Sequence, residues 1–430
     1  MATKGTWSGN GLDAYSVRGP SFRSVGSWNS KSSTAIPGRG MLTVSPSISL
    51  LETPLSQSYS ARETLSRTRS SCRQMSGILV QHHFSLVSNP QYKSQSFLLP
   101  KRRAQYGTGG RGAAVTKKPD KKSVAASKEI NKKIVALGQD GKWMEILNLY
   151  TEKKQQFNPI NYATVMSQMG RIRQGQKHDP LFLEFLSDLR AKFHANGITW
   201  LGEARDLATM VHALAKMGLD SNKQDSSSVT TIMGVLDDAK TTAWLFEDGT
   251  PQAVGHCIWA CGKLGIKSPN LFRMLDQRAA WLFEHGSTQT IANCVWACGK
   301  LGIRSPNLFR LLDQRADWLI GGGHAQQMTN CVWACGKVGI KCPNLFRLLD
   351  ESAEILFDTG TAQGVASFAW ACGTLKIQSP NLFRLLDQRA NWLVERGASR
   401  DLADVLWACG KLKLKSPKLR KLCNRRRAAG

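Results

Sequence analysis

From residue 251 onward the apolar positions fall at helical spacing, and the whole pattern returns every 37 residues. Between Pro251 and Leu264, the side chains of Val254, Cys257, Ile258, Cys261 and Leu264 recur at intervals of three and four, which sets them along one side of a helix. The stretch that follows reads NLFRLLDQRADWL in one copy, with Leu308, Leu312, Ala316 and Leu319 on one side of another amphipathic helix. This first helix of each unit opens at Ser268-Pro269, Ser305-Pro306 and Ser379-Pro380, with Cys342-Pro343 as the departure. Serine is expected to cap the free amides there, and proline suits the first helical position. Glycines close it at Gly286, Gly321 to Gly323, Gly360 and Gly397, while Gly265, Gly302 and Gly339 close the second helix. Lys376 and Lys413 replace that last glycine in two copies. If the backbone there is left-handed, each lysine costs about 1 kcal/mol.

Five tryptophans mark the period: Trp259, Trp296, Trp333, Trp370 and Trp407. Each lies in a near-copy of one phrase, such as VWACGKLGIRSPNLF. A fixed period of this length predicts an all-α solenoid of helix-turn-helix units, because one unit cannot bury its apolar face alone and stacked units can. Weaker copies extend upstream. Asp179-Pro180 precedes LFLEFLSDLRAKF, VHALAKMG places His212 where the tryptophan stands, and NYATVMSQMG (Asn161 to Gly170) reads as a further second helix. The chain therefore divides into four parts. Residues 1–119 are a disordered Ser/Arg-rich segment, 120–250 hold degenerate repeats, 251–410 hold regular ones, and 411–430 form a basic part-repeat.

The charge falls outside the regular repeats. Of the net +27, residues 1–119 carry 16 Lys/Arg against three acids, and 411–430 carry nine basic residues and no acid. The first 100 residues also contain 22 serines and no apolar periodicity, so they cannot offset the entropy of ordering. Such an acid-poor, Ser- and Arg-rich leader has the make-up of an organelle transit peptide, mitochondrial or, alternatively, chloroplast. No run approaches the length of a membrane span, which excludes a helical membrane protein.

On a helical wheel, Gln252, Ala253, His256, Ala260 and Lys263 gather opposite the apolar side of the second helix. Around one variable polar position (His256, Asn293, Asn330, Ser367 and Asp404, with Thr209 and Asn161 upstream) the surroundings stay constant. In the five close copies they are a glutamine four residues before (Arg400 in the last copy), an alanine four after, and Lys263, Lys300, Lys337 or Lys411 seven after (Thr374 in the fourth copy), and Lys216 holds the last place upstream. This suits reading of single-stranded RNA at about one base per repeat: the polar group meets a base edge, alanine leaves room for the ring, and lysine meets phosphate. The tryptophans lie about 60° away. They either stack on bases or pack between repeats, and packing is the commoner role for an evenly repeated tryptophan.

The pairs Cys257/Cys261, Cys294/Cys298 and Cys331/Cys335 have the i, i+4 spacing of metal ligands, but Phe368 and Val405 stand in the first place in later copies. Those residues replace a buried hydrophobe and cannot replace a ligand, so the cysteines are expected to pack, in a reducing compartment, with no metal or other cofactor bound. The phrases LWACGKLKLKSP, VWACGKLGIRSP and VHALAKMG, with the lead-in KWMEILNLYTEKKQQFNPINYATVMSQMG, resemble the octotricopeptide repeat family and, more distantly, the FAST-kinase-like mitochondrial RNA-binding proteins. The resemblance implies an organellar helical-repeat protein that binds single-stranded RNA and acts in RNA processing, stability or translation, with other RNA-processing proteins as further partners. The alternative is a protein-binding scaffold of the HEAT or armadillo type. No phosphate-binding glycine loop, HExxH or nucleophile elbow is present, so no enzyme is expected.

Overall fold

A computed structural model describes residues 121–171, 178–219 and 226–429, all within one compact unit, Gly112–Gly430. The expected disorder of 1–119 lies outside the described residues, in which 21 α-helices and no strand occur. The fold is the all-α helical array read from the period. It opens with α1 (Lys121–Gln139), α2 (Trp143–Lys153), α3 (Pro159–Met169), α4 (Pro180–Asn196), α5 (Ala204–Met217), α6 (Ser226–Gly234) and α7 (Ala239–Glu247). The first regular repeats add α8 (Pro251–Leu264), α9 (Pro269–Gln277), α10 (Ala279–His285), α11 (Thr288–Leu301), α12 (Pro306–Gln314), α13 (Ala316–Gly322) and α14 (Ala325–Val338). The remainder are α15 (Pro343–Glu351), α16 (Ala353–Thr359), α17 (Ala362–Leu375), α18 (Pro380–Gln388), α19 (Ala390–Arg396), α20 (Ser399–Lys411) and α21 (Pro417–Ala429).

These form two layers. The second helices pack side by side in the order α1, α3, α5, α8, α11, α14, α17 and α20. The first helices lie against them and make the other layer. In the regular repeats each first helix is two short helices instead of the expected one, bent at Arg278, Arg315, Ser352 and Arg389, where ψ moves to between 16° and 28°, whereas the upstream α4 is continuous. Leu271, Leu275, Ala279 and Leu282 run buried straight through the bend, so the hydrophobic pattern carries no sign of it.

The helix starts correct the sequence reading. Ser268, Ser305 and Ser379 cap nothing; they are buried, in backbone that is neither helical nor extended. The amides are capped instead by an aspartate of the preceding repeat. Asp276 accepts from the Asn307 amide at 2.8 Å, from the Ser305 hydroxyl at 2.8 Å and from the Leu308 amide at 3.3 Å. Asp237, Asp313, Asp350 and Asp387 act alike on the Asn270, Leu345, Leu382 and Leu419 amides at 2.9, 3.0, 2.9 and 3.2 Å. Each cap therefore also joins two repeats, and a carboxylate suits the positive end of the helix dipole. The helix ends follow the reading. Gly265, Gly302 and Gly339 have φ of +74°, +67° and +71°, and Lys376 and Lys413 take up +55° and +57° in their place.

Candidate nucleic-acid interface

Each second helix from α3 to α17 is covered on three sides, by the outer layer and by its two neighbours, which leaves a narrow strip facing solvent, and α20 has one such neighbour, α17. In α8 the strip is Gln252, His256, Trp259 and Lys263, spaced four, three and four apart and therefore aligned along the axis. Gln252 and Lys263 are exposed, His256 and Trp259 half-buried. The strip recurs as Gln289, Asn293, Trp296 and Lys300 in α11, and as Gln326, Asn330, Trp333 and Lys337 in α14. In α17 it reads Gln363, Ser367, Trp370 and Thr374, and in α20 Arg400, Asp404, Trp407 and Lys411. Upstream, α5 supplies Arg205, Thr209, His212 and Lys216 in the same pattern of exposure.

Two sequence expectations fail here. Ala260, Ala297, Ala334, Ala371 and Ala408 are fully buried and leave no room for a base. They fill the seams between repeats. A methyl group placed on Gly262 would stand 2.8 Å from Cα and Cβ of Ala297 and 3.1 Å from the Trp296 ring. Gly299 meets Ala334 at 2.7 Å, and Gly373 meets Ala408 at 2.9 Å. A wheel with one buried side misplaces a residue that the helix buries on its flank.

The other failure is Asn161, which is buried with its amide donating to the Ser127 carbonyl at 2.9 Å and its oxygen accepting from the Asn158 amide at 3.1 Å. It belongs to the capping box of α3. The strip of α3 is instead Ile160, Thr164, Ser167 and Arg171, with the exposure seen in α5 and α8. Thr164 donates to the Ile160 carbonyl at 2.8 Å, just as Thr209 donates to Arg205 at 2.8 Å.

Trp296, Trp333, Trp370 and Trp407 each reach into a seam between repeats, the packing role expected of an evenly spaced tryptophan. One ring edge lies over the glycine of the preceding repeat, while the rest reaches the strip, and Trp407 is 41% exposed. Trp259 and Trp296 stack at 6.3 Å between centroids, inclined by 28°. Lys337 Nζ stands 5.9 Å from both the Trp333 and Trp370 rings, and Lys411 Nζ stands 5.5 Å from Trp407. A cation held over indole faces shields them in part and places positive charge along the ladder. Among the described residues the side chains of Asn293, Asn330 and Ser367 form no hydrogen bond, so their donors and acceptors face outward unspent.

At the upstream end His212 stacks on His256 at 4.4 Å and lies 4.9 Å from Trp259. Burial, the neighbouring His256 and Lys216 bring the His212 pKa down to about 4, and burial also lowers that of His256. Both rings are therefore neutral at neutral pH. In the last row burial raises the Asp404 pKa against the pull of Arg400, whose Nε is 3.9 Å away.

The ten cysteines among the described residues are free thiols and buried, and burial pushes Cys261, Cys294 and Cys372 up to about 12. Thiols so far from ionising act as packing groups. Among the described residues no group of three or more His, Cys, Asp or Glu is placed to hold a metal, and no helix is long and apolar enough to cross a membrane.

No curated protein matches the chain. A family model does, the one described as RNA-editing substrate-binding complex 6 protein, over residues 194–418. The match runs from the end of α4 into α21 and takes in every strip from Thr209 to Asp404. Because it covers just over half of the 430 residues, the chain belongs to the RNA-editing substrate-binding complex 6 (RESC6) protein family.

Proposed function

We propose that this protein binds single-stranded RNA in the mitochondrion as a non-catalytic member of an RNA-editing or RNA-processing assembly. The observation that carries the reading is the solvent-facing strip, in register from α5 to α20, of a long polar residue, a short polar residue, an aromatic ring and, in all but α17, a cation. The family's description, which names an RNA-editing substrate-binding complex, supports the choice of partner, and the acid-poor leader supports the compartment. In each repeat the short polar group meets a base edge and the lysine, seven residues and about 10 Å further along, meets phosphate. The exposed part of the indole adds a stacking surface. The room for a base comes from the groove between adjacent strips, since the alanines lie in the seams.

Selection from randomised RNA tests this. Lys300→Ala with Lys337→Ala is expected to weaken binding to every sequence and to flatten the salt dependence by about 0.7 unit per lost contact. Asn330→Asp is expected to change preference at one nucleotide, by about 1–3 kcal/mol. If both variants select the wild-type motif with wild-type affinity, the strip is not the RNA surface. A protein-binding scaffold would then be the better reading, and one observation favours it: much of each indole is already used between repeats.

A further inference from the structure

A second basic feature lies outside the strip, on the edge where each second helix hands over to the next first helix. Between α9 and the loop that follows α11 there is a groove of about 450 Å³. Lys267, Arg273 and Arg304 surround it, over a floor that includes Phe272 and Ile303. All three cations are exposed, and among the described residues none of them stands in an ion pair. Arg273 is held by a neutral partner, the Asn270 side-chain oxygen at 2.9 Å. Asp276 also lines the groove, but its oxygens are turned to the Ser305 hydroxyl and the Asn307 and Leu308 amides. The groove therefore holds three cations against one occupied carboxylate.

The same positions one repeat on are Arg304, Arg310 and Lys341, with Arg310 held by Gln314 at 2.9 Å. One repeat further the charge fails: Arg347 is paired with Glu351 at 2.8 Å, and Gln378 takes the place of the second loop cation. The basic edge is thus concentrated over two consecutive repeats. Along the chain it continues the strip, because Lys267 and Arg304 follow Lys263 and Lys300 by four residues, across the turns at Gly265 and Gly302.

We infer that the Lys267–Arg273–Arg304 groove and its Arg304–Arg310–Lys341 counterpart bind backbone phosphates of the RNA, taking the strand off the strip and over this edge. The inference rests on the RNA-binding reading. Guanidinium forks suit phosphate oxygens, and the cations without an ion pair that follow Lys263 and Lys300 extend one phosphate path rather than begin another. Carboxylates of an acidic protein segment would satisfy the same forks, but they would not explain that continuity.

The test uses the full chain and a 30-nucleotide oligouridylate probe, with binding followed by fluorescence anisotropy across a series of salt concentrations. Lys267→Ala with Arg304→Ala is expected to lower the salt slope by about 1.4 units and to weaken binding by about ten- to thirtyfold at 0.1 M salt. Lys267→Arg with Arg304→Lys, which keeps both charges, is expected to retain most of the slope. If wild type binds and the alanine pair leaves the slope unchanged, the groove assignment is overturned and an acidic protein segment becomes its occupant. If wild type shows no salt-dependent RNA binding, the functional reading falls and the groove falls with it. A slope lost equally in the charge-preserving pair would place the effect in loop structure and would also overturn the assignment.

Discussion

Two glycines of the same register are expected to respond to one substitution with opposite signs. Gly299 and Gly410 both stand in the phrase ACGK, 111 residues or three periods apart. A methyl group on Gly299 would lie 2.7 Å from Cα and Cβ of Ala334 and 3.2 Å from the Trp333 ring, whereas one on Gly410 would meet nothing within 4 Å. Alanine in place of a helical glycine recovers up to about 1 kcal/mol of backbone preference at either site. At Gly299 the neighbour is backbone and cannot rotate away, so α11 and α14 must separate by several tenths of an ångström. Overpacking of that kind costs about 1–3 kcal/mol. Gly299→Ala should therefore destabilise by up to about 2 kcal/mol, while Gly410→Ala should be neutral or stabilising by up to about 1 kcal/mol.

Repeat arrays need not unfold in one step, so urea denaturation should be followed both by far-ultraviolet circular dichroism and by hydrogen exchange in α11 and α14. Adding Ala334→Gly to Gly299→Ala removes the contact with Cβ and leaves the approach to Cα, so the relief is partial, and the pair should be less destabilised than the sum of the singles by about 0.5 kcal/mol or more. Equal shifts for Gly299→Ala and Gly410→Ala, or strict additivity with Ala334→Gly, would refute the close seam. The seam matters for binding as well, since it sets the distance from one strip to the next.

Lys376→Gly and Lys413→Gly should each stabilise by about 0.5–1 kcal/mol, read from the denaturant midpoint, because both lysines occupy left-handed backbone at φ +55° and +57°. Asp276→Ala should destabilise by about 1–2 kcal/mol and Ser305→Ala by less; the reverse order would show that the serine is the cap after all. His212, with a folded pKa near 4, binds its proton less readily than in the unfolded chain. Both states are neutral above about pH 6.5, and only the unfolded state gains the proton between there and about 4, so stability is expected to fall across that window. With the ring partly exposed the loss is about 1 kcal/mol after solvent screening, and His212→Phe should remove it in a comparison of denaturant midpoints at pH 7 and 4.5. Iodoacetamide at pH 8 should label the ten buried cysteines from Cys257 to Cys423 only on unfolding, as mass spectrometry would show; rapid labelling at any of these ten in the native chain would contradict their burial.

The array was legible because its period and apolar spacing are local properties, and each phrase encodes its own helix. What escaped the sequence involves two repeats at once. The aspartate that recurs as Asp276 and Asp313 carries no local sign of its role, which is to cap a helix 31 or 32 residues ahead. The constant alanine looked exposed because the wheel knows only one partner, whereas a helix inside a layer has three. Asn161 shows how such an error spreads. Reading Asn161 to Gly170 as a second helix sets Gly170 level with Gly265 and Asn161 level with His256. In the structure Gly170 has φ −63° and its missing side chain faces Ala213 at 3.3 Å, so it is a seam glycine, the counterpart of Gly262. Moving the register by three residues brings Thr164 into the polar place and Arg171 into the place of the lysine. Glycine serves two purposes in this repeat, close approach and left-handed turning, and only its neighbours in space tell them apart.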